Sequence, residues 1–158
     1  MTNPDSPDSP RGTVDTRFDP IHSAARMRDL QAVQTELNAG VDVDVLNGRA
    51  RNGDGGNTPL WFAAQGARSG LDVVRLLINA GADINLRCEH GRTALHMAAA
   101  WGHLAEVQLL LDHGADPDLR DDGGLTPAIM AAKSQRVAEA NLKPVVDYLN
   151  ALDRRSTR

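Results

Sequence analysis

Aromatic residues are almost missing from this chain of 158 residues: two Trp, two Phe and one Tyr, 3% in all. A single bulky core built from such a composition would be poor. The 41% of apolar residues come largely from Ala, Leu and Val, which suits thin helix pairs in close contact. Cysteine occurs once, as Cys88, so no internal disulfide can form, and a lone thiol suits a reducing compartment. No apolar run approaches the ~18 residues of a membrane span. Seventeen basic residues against 21 acidic ones leave a net charge of −4, which provides no basic field for nucleic acid or an anionic membrane. The first ten residues lack the basic start and apolar stretch of a secretory signal. Together these absences predict a cytoplasmic protein of one domain, without a membrane or nucleic-acid partner.

What is present is a repeat. Ala80-Gly81-Ala82-Asp83-Ile84-Asn85 returns as His113-Gly114-Ala115-Asp116-Pro117-Asp118, and Thr93-Ala94-Leu95-His96 returns as Thr126-Pro127-Ala128-Ile129, each 33 positions later (114 − 81 and 126 − 93). A fixed period means stacked units, none of which buries its apolar face alone. In the clearest unit Thr93 is placed to cap a first helix whose narrow face is Leu95, Ala98 and Ala99, and Gly102 stops it. Leu104, Val107, Leu110 and Leu111 then form a stripe at helical period. The preceding unit repeats this as Thr58-Pro59-Leu60, Ala63-Ala64, Leu71, Val74, Leu77 and Gly81, with the loop at 65–70 two residues longer. A first unit runs from Asp19-Pro20-Ile21-His22 to Gly40, with polar Thr35 and Glu36 as expected of a capping repeat. A fourth, from Gly124 to Leu149, carries about six extra residues near 134–140 and reads as the other cap. Gly40 to Gly81 is 41 positions; the surplus falls mainly at 47–56, a Gly- and Asn-rich stretch expected to be a mobile finger. Residues 1–17, with Asp-Ser-Pro twice, read as a disordered arm, and 153–158 as a frayed basic tail.

The period of 33, with Thr-Pro-Leu-His-like and Gly-Ala-Asp phrases in register, resembles the ankyrin repeat, over about residues 19–150. The resemblance implies an all-α repeat solenoid over 18–152: four repeats, eight helices and projecting hairpin-like turns. It also implies a stand-alone protein-binding module, an adaptor, inhibitor or regulatory subunit that grips a folded partner through its concave face. Such a module needs no cofactor, is not an enzyme, and is expected to be a monomer when free. Carried over by position, the partner-facing residues are Glu89, His90, Arg92, Ala100 and Trp101 in the third unit. The second contributes Asn57 and Gln65, and the fourth Asp122, Leu125 and Lys133. Trp101 is expected as the anchor, because Trp often dominates interface energy and no core awaits it in that register; the alternative is that it packs against the insert in the fourth unit or beneath the second unit's loop. Trp61 and Ile129 depart from the family by replacing the motif histidine, and Cys88 by replacing a turn Asp.

Other chemistry is weaker. His22 and His96 take the family's structural histidine position, and no ligand set at zinc-like spacing accompanies them. The aspartates of 116–122 suggest a calcium loop, but its twelfth position is Pro127, and they are expected as turn formers. An exposed Cys88 near His90 would be the centre of a thiol- or metal-dependent enzyme, the rival reading, and self-assembly through the finger or the caps is another.

Overall fold

The structure, a computed structural model, describes residues 20–47 and 56–156. The N-terminal arm and nearly all of the finger lie outside the described residues, and so does the mobility expected of them. Among the described residues the regular structure is eight α-helices and one 3-10 turn (Glu89–Gly91): α1 (Pro20–Met27), α2 (Leu30–Asn38), α3 (Pro59–Ala64), α4 (Leu71–Asn79), α5 (Ala94–Ala100), α6 (Leu104–Asp112), α7 (Pro127–Lys133) and α8 (Glu139–Ser156). Among the described residues there is no strand. Each unit is an antiparallel pair, α1 with α2 through α7 with α8. The pairs stack so that α1, α3, α5 and α7 form one layer, and α2, α4, α6 and α8 the other. This is the solenoid that the repeat implied.

Local sequence explains where the helices start and stop. The Thr58 hydroxyl accepts the Trp61 amide at 3.1 Å, and Pro59 fills the first helical position, where no N–H is needed. Thr126 and Pro127 repeat the device for α7, with a 3.4 Å bond from Ile129. At α5 the histidine joins in. The Thr93 amide donates to His96 Nδ1 at 3.2 Å, so Nδ1 is an acceptor and the proton sits on Nε2, which donates to the Leu125 carbonyl of the next unit at 3.0 Å. Burial is the main reason that His96 titrates below its ordinary 6.5, so the neutral form that this geometry needs is the one present. His22 is tied in the same way to the Val45 carbonyl at 2.8 Å.

Small residues set the layer spacing. Ala25, Ala63, Ala64, Ala98, Ala99 and Ala131 are fully buried where first helices meet, and Val74, Leu77, Val107, Leu110 and Val145 do the same for the second helices. The stripe expected on α6 is slightly rotated: Leu109 is buried while Leu104 and Leu111 are partly exposed, because Glu106 also turns inward. Its carboxylate accepts the Gly70 amide at 2.8 Å.

That bond belongs to a polar clasp on the longer 65–70 loop. Arg28 stands where the third unit has Gly102 and, like it, has positive φ (61° against 72°), a conformation that costs a side-chain-bearing residue about 1–2 kcal/mol. Its guanidinium offsets this by donating to three carbonyls: Arg26 at 2.7 Å, Arg68 at 3.0 Å, and Gln65. Unit one thus holds the loop from one side and Glu106 of unit three from the other. On the turn side, Asp44 accepts the Asp83 amide at 2.9 and 3.0 Å. One unit on, Asn85 accepts the Asp116 amide at 2.8 Å and donates to the Gly114 carbonyl at 3.0 Å. The last helix, α8, continues to Ser156, past the boundary at 152 drawn from sequence.

Candidate protein-binding site

The partner-facing positions divide into those the fold brings together and those it spends internally. Arg92, Ala100, Leu125 and Lys133 line one groove of about 260 Å³ between the third and fourth units, built from two turns and the first helices α5 and α7. Met97, Met130, Ser134, Gln135 and Arg136 complete its lining. Met97 and Met130 are 33 positions apart (130 − 97), so the repeat itself puts a methionine at the same place on adjacent helices. That signal was legible, whereas Gln135 and Arg136 sit in the irregular 134–138 segment, where no repeat register reaches them.

The groove is held by polar bonds from behind. The Ser134 hydroxyl donates to the Ala100 carbonyl at 2.6 Å and accepts the Arg136 amide at 3.3 Å, which fixes the turn after α7 against α5. Arg92 Nε lies 3.3 Å from Asp121, a buried carboxylate that also accepts the amides of Gly123 and Leu125 at 2.9 Å each. Burial pushes the Asp121 carboxyl up, but the Leu125 amide, Arg92 and the Gly123 amide together outweigh it and hold the group below the ordinary carboxylate range. Asp121 is therefore an anion throughout the neutral range, and it locks both Arg92 and the turn.

Trp101 does not stand free as the expected anchor. It is partly buried against the core, its indole nitrogen is enclosed, and Arg136 lies over its ring at 5.5 Å. The physical reason is the insert in the fourth unit, which folds back across α5 and brings the cation over the aromatic face. Trp101 thus backs Arg136 and leaves only part of its own surface to solvent. Ala100 is likewise buried, and only its edge reaches the groove.

Asn57 is spent on the turn below. Its side-chain oxygen accepts the Glu89 amide at 3.0 Å, its Nδ2 donates to the Glu89 carboxylate at 3.3 Å, and its own amide donates to Asn47 at 2.7 Å. It is buried, so little of the surface expected to face a partner is exposed. Gln65 is half-buried, and its carbonyl is taken by Arg28. Glu89, His90 and Asp122 remain at the turn tips. His90, with positive φ, stands 3.7 Å from Glu89, and Asp122 pairs with Arg87 at 3.2 Å.

Cys88 is buried, not exposed as its turn position suggested. Burial pushes its thiol up, the Thr58 bonds oppose this, and the nearby Asp44 and Asp83 charges add to it. A thiol so held is a poor nucleophile. Among the described residues no three His, Cys, Asp or Glu side chains cluster as metal ligands, and Asp116 and Asp121 accept amides of their own turns. No described helix is long and apolar enough to cross a membrane.

A family model described as ankyrin repeats (three copies) matches residues 67–150. The chain is 40% identical over 81 residues to a probable E3 ubiquitin-protein ligase, XBOS32, of Oryza sativa subsp. japonica, covering 51% of this chain and 15% of that protein. It is 51% identical over 47 residues to XBOS33 of the same plant, 30% of this chain and 9% of the other. With Zygote-specific protein 3 of Chlamydomonas reinhardtii the identity is 37% over 92 residues, 58% and 22% of the two. The chain thus spans less than a quarter of each of these relatives.

Proposed function

This chain belongs to the ankyrin repeat family, and from that membership we propose a protein-binding module that grips a folded partner with the turn tips and first helices of its third and fourth units. Ankyrin repeats are protein-interaction modules, and the family is generally without chemistry of its own. The observation that carries the reading here is the groove at Arg92, Leu125 and Lys133, which lies on the first-helix layer. Its walls are fixed by Asp121 and Ser134, so little is left to order on binding. The module acts by occupying, masking or bridging its partner, as an adaptor, inhibitor or regulatory subunit of a cytoplasmic protein. The E3 ligase names belong to much longer proteins and say nothing of what this chain adds to such a system.

The test is quantitative affinity purification with the wild-type chain and an Arg92→Ala, Lys133→Ala double variant, each checked by thermal melting. A partner recovered by the wild type and lost from an equally stable variant supports the reading. Recovery of the same proteins by both, or of none by either, refutes it.

A further inference from the structure

We propose that the groove between the third and fourth units receives an extended acidic segment of the partner, with carboxylates on Lys133 and Arg136 and an apolar side chain between Met97 and Met130. This deepens the reading of the first-helix layer as the binding face, and rests on it. The chain carries a net charge of −4, yet the charged residues lining this groove are three cations and no anion. Their states differ in a way that points outward. Arg92 is already half-neutralised by Asp121. Arg136 lies over the Trp101 ring and is otherwise exposed, with no carboxylate within ion-pair distance among the described residues. Lys133 is exposed at the end of α7, with no carboxylate within ion-pair distance among the described residues. The acids on the neighbouring turns are engaged elsewhere, Asp122 with Arg87 and Glu89 with His90 and Asn57.

Size limits what enters. A hollow of about 260 Å³ has room for one or two side chains, so the rest of the segment lies over the rim, where the cations are. Its floor is methionine, which adapts to apolar groups of varied shape. Paired cations at the rim with a soft apolar floor fit carboxylates that flank one aliphatic residue.

The probe is a fluorescein-labelled peptide, Glu-Asp-Glu-Leu-Glu-Asp-Glu, with its Gln/Asn counterpart and a single-stranded oligonucleotide of equal charge as comparisons. Binding is measured at low salt by anisotropy, and the groove is watched through the Met97 and Met130 methyl resonances. The acidic peptide is expected to shift both methyls and to bind at least about tenfold more tightly than the amide peptide, a difference of about 1.4 kcal/mol. Lys133→Glu with Arg136→Glu should remove at least that factor while lowering the melting temperature by only a few degrees, the cost of the lost Arg136 contact with the Trp101 ring. Equal binding of the two peptides, unmoved methyls at about 1 mM acidic peptide, or tighter binding of the oligonucleotide through the same methyls overturns the inference. A neutral peptide, selected from a display library, that occupies the groove also overturns it, and that outcome leaves the protein-binding reading standing.

Discussion

Leu110→Ala tests the fold at its most informative point. Leu110 is fully buried in the second-helix layer, in the same core as Leu77, Val107, Val145 and Leu149. Truncation removes three carbons, worth about 0.8 kcal/mol each, so loss of transfer energy alone is ~2.4 kcal/mol. A cavity term adds to this, and packed Leu sites as a class lose about 2–5 kcal/mol. α6 is nine residues long and packs on α4, α5 and α8, thin neighbours that can settle into the space. The expected loss is therefore ~3 kcal/mol, a large share of the ~5–15 kcal/mol typical of a whole domain. Urea unfolding should be followed by both far-ultraviolet circular dichroism and tryptophan fluorescence. Trp61 and Trp101 report on the second and third units, so coincident transitions show that the array unfolds as one. A loss below about 1 kcal/mol, or a Leu111→Ala variant as damaging as Leu110→Ala, would refute the packing described for α6.

Gly102→Ala should be costly, because φ is 72° and a Cβ would lie 2.9 Å from the Asn141 carbonyl; Gly40→Ala, at φ 85° with nothing near, bears the backbone cost alone, ~1–2 kcal/mol. Urea midpoints that rank Gly40→Ala as the more damaging would reverse that account. Cys88 should resist a thiol-reactive dye in native buffer and label promptly in urea, and rapid native labelling would show that the burial is wrong. His103 and His96 are both held below 6.5, first by burial; at His103 Glu106 opposes this and Arg28 adds to it. The unfolded chain therefore takes up protons first, and stability present above 6.5 is lost as pH falls below it. Urea midpoints should drop between about pH 7.5 and about pH 5.5, less steeply in His103→Gln, and a flat profile would count against the buried neutral imidazoles.

How much of this was written in the chain depends on how far away each residue's partner lies. The capping Thr58 and Thr126 act within one unit, so spacing alone places them, and it places the helix stripes to within the small rotation seen on α6. The layer order followed from the repeat, since identical units have one way to stack. Arg28 is opaque in sequence: it occupies a glycine position, and two of the three carbonyls that it donates to lie about 40 residues away. Glu106 reads as a surface charge until the Gly70 amide, 36 residues back, is brought to it. Cys88 sits on a turn, where exposure is the natural expectation, but Thr58 of the previous unit covers it at 3.8 Å. For Trp101 the sequence offers both the open face and a place against the fourth-unit insert, because the length of that insert says nothing of where it folds; in the structure Arg136 of the insert lies over the ring. The methionine pair was the one missed part of the groove that the 33-residue period could have revealed.

The ties through Asp44 and Asn85 run along a single edge of the stack, amide to side chain from one turn to the next. At the other end of the same helices, Arg28 and Glu106 grip the 65–70 loop from the first and third units. The first three units are therefore pinned at two places, the turn edge and the inter-helix loop, with only Ala, Val and Leu packing between. A partner that spans these three turns meets a fixed ruler.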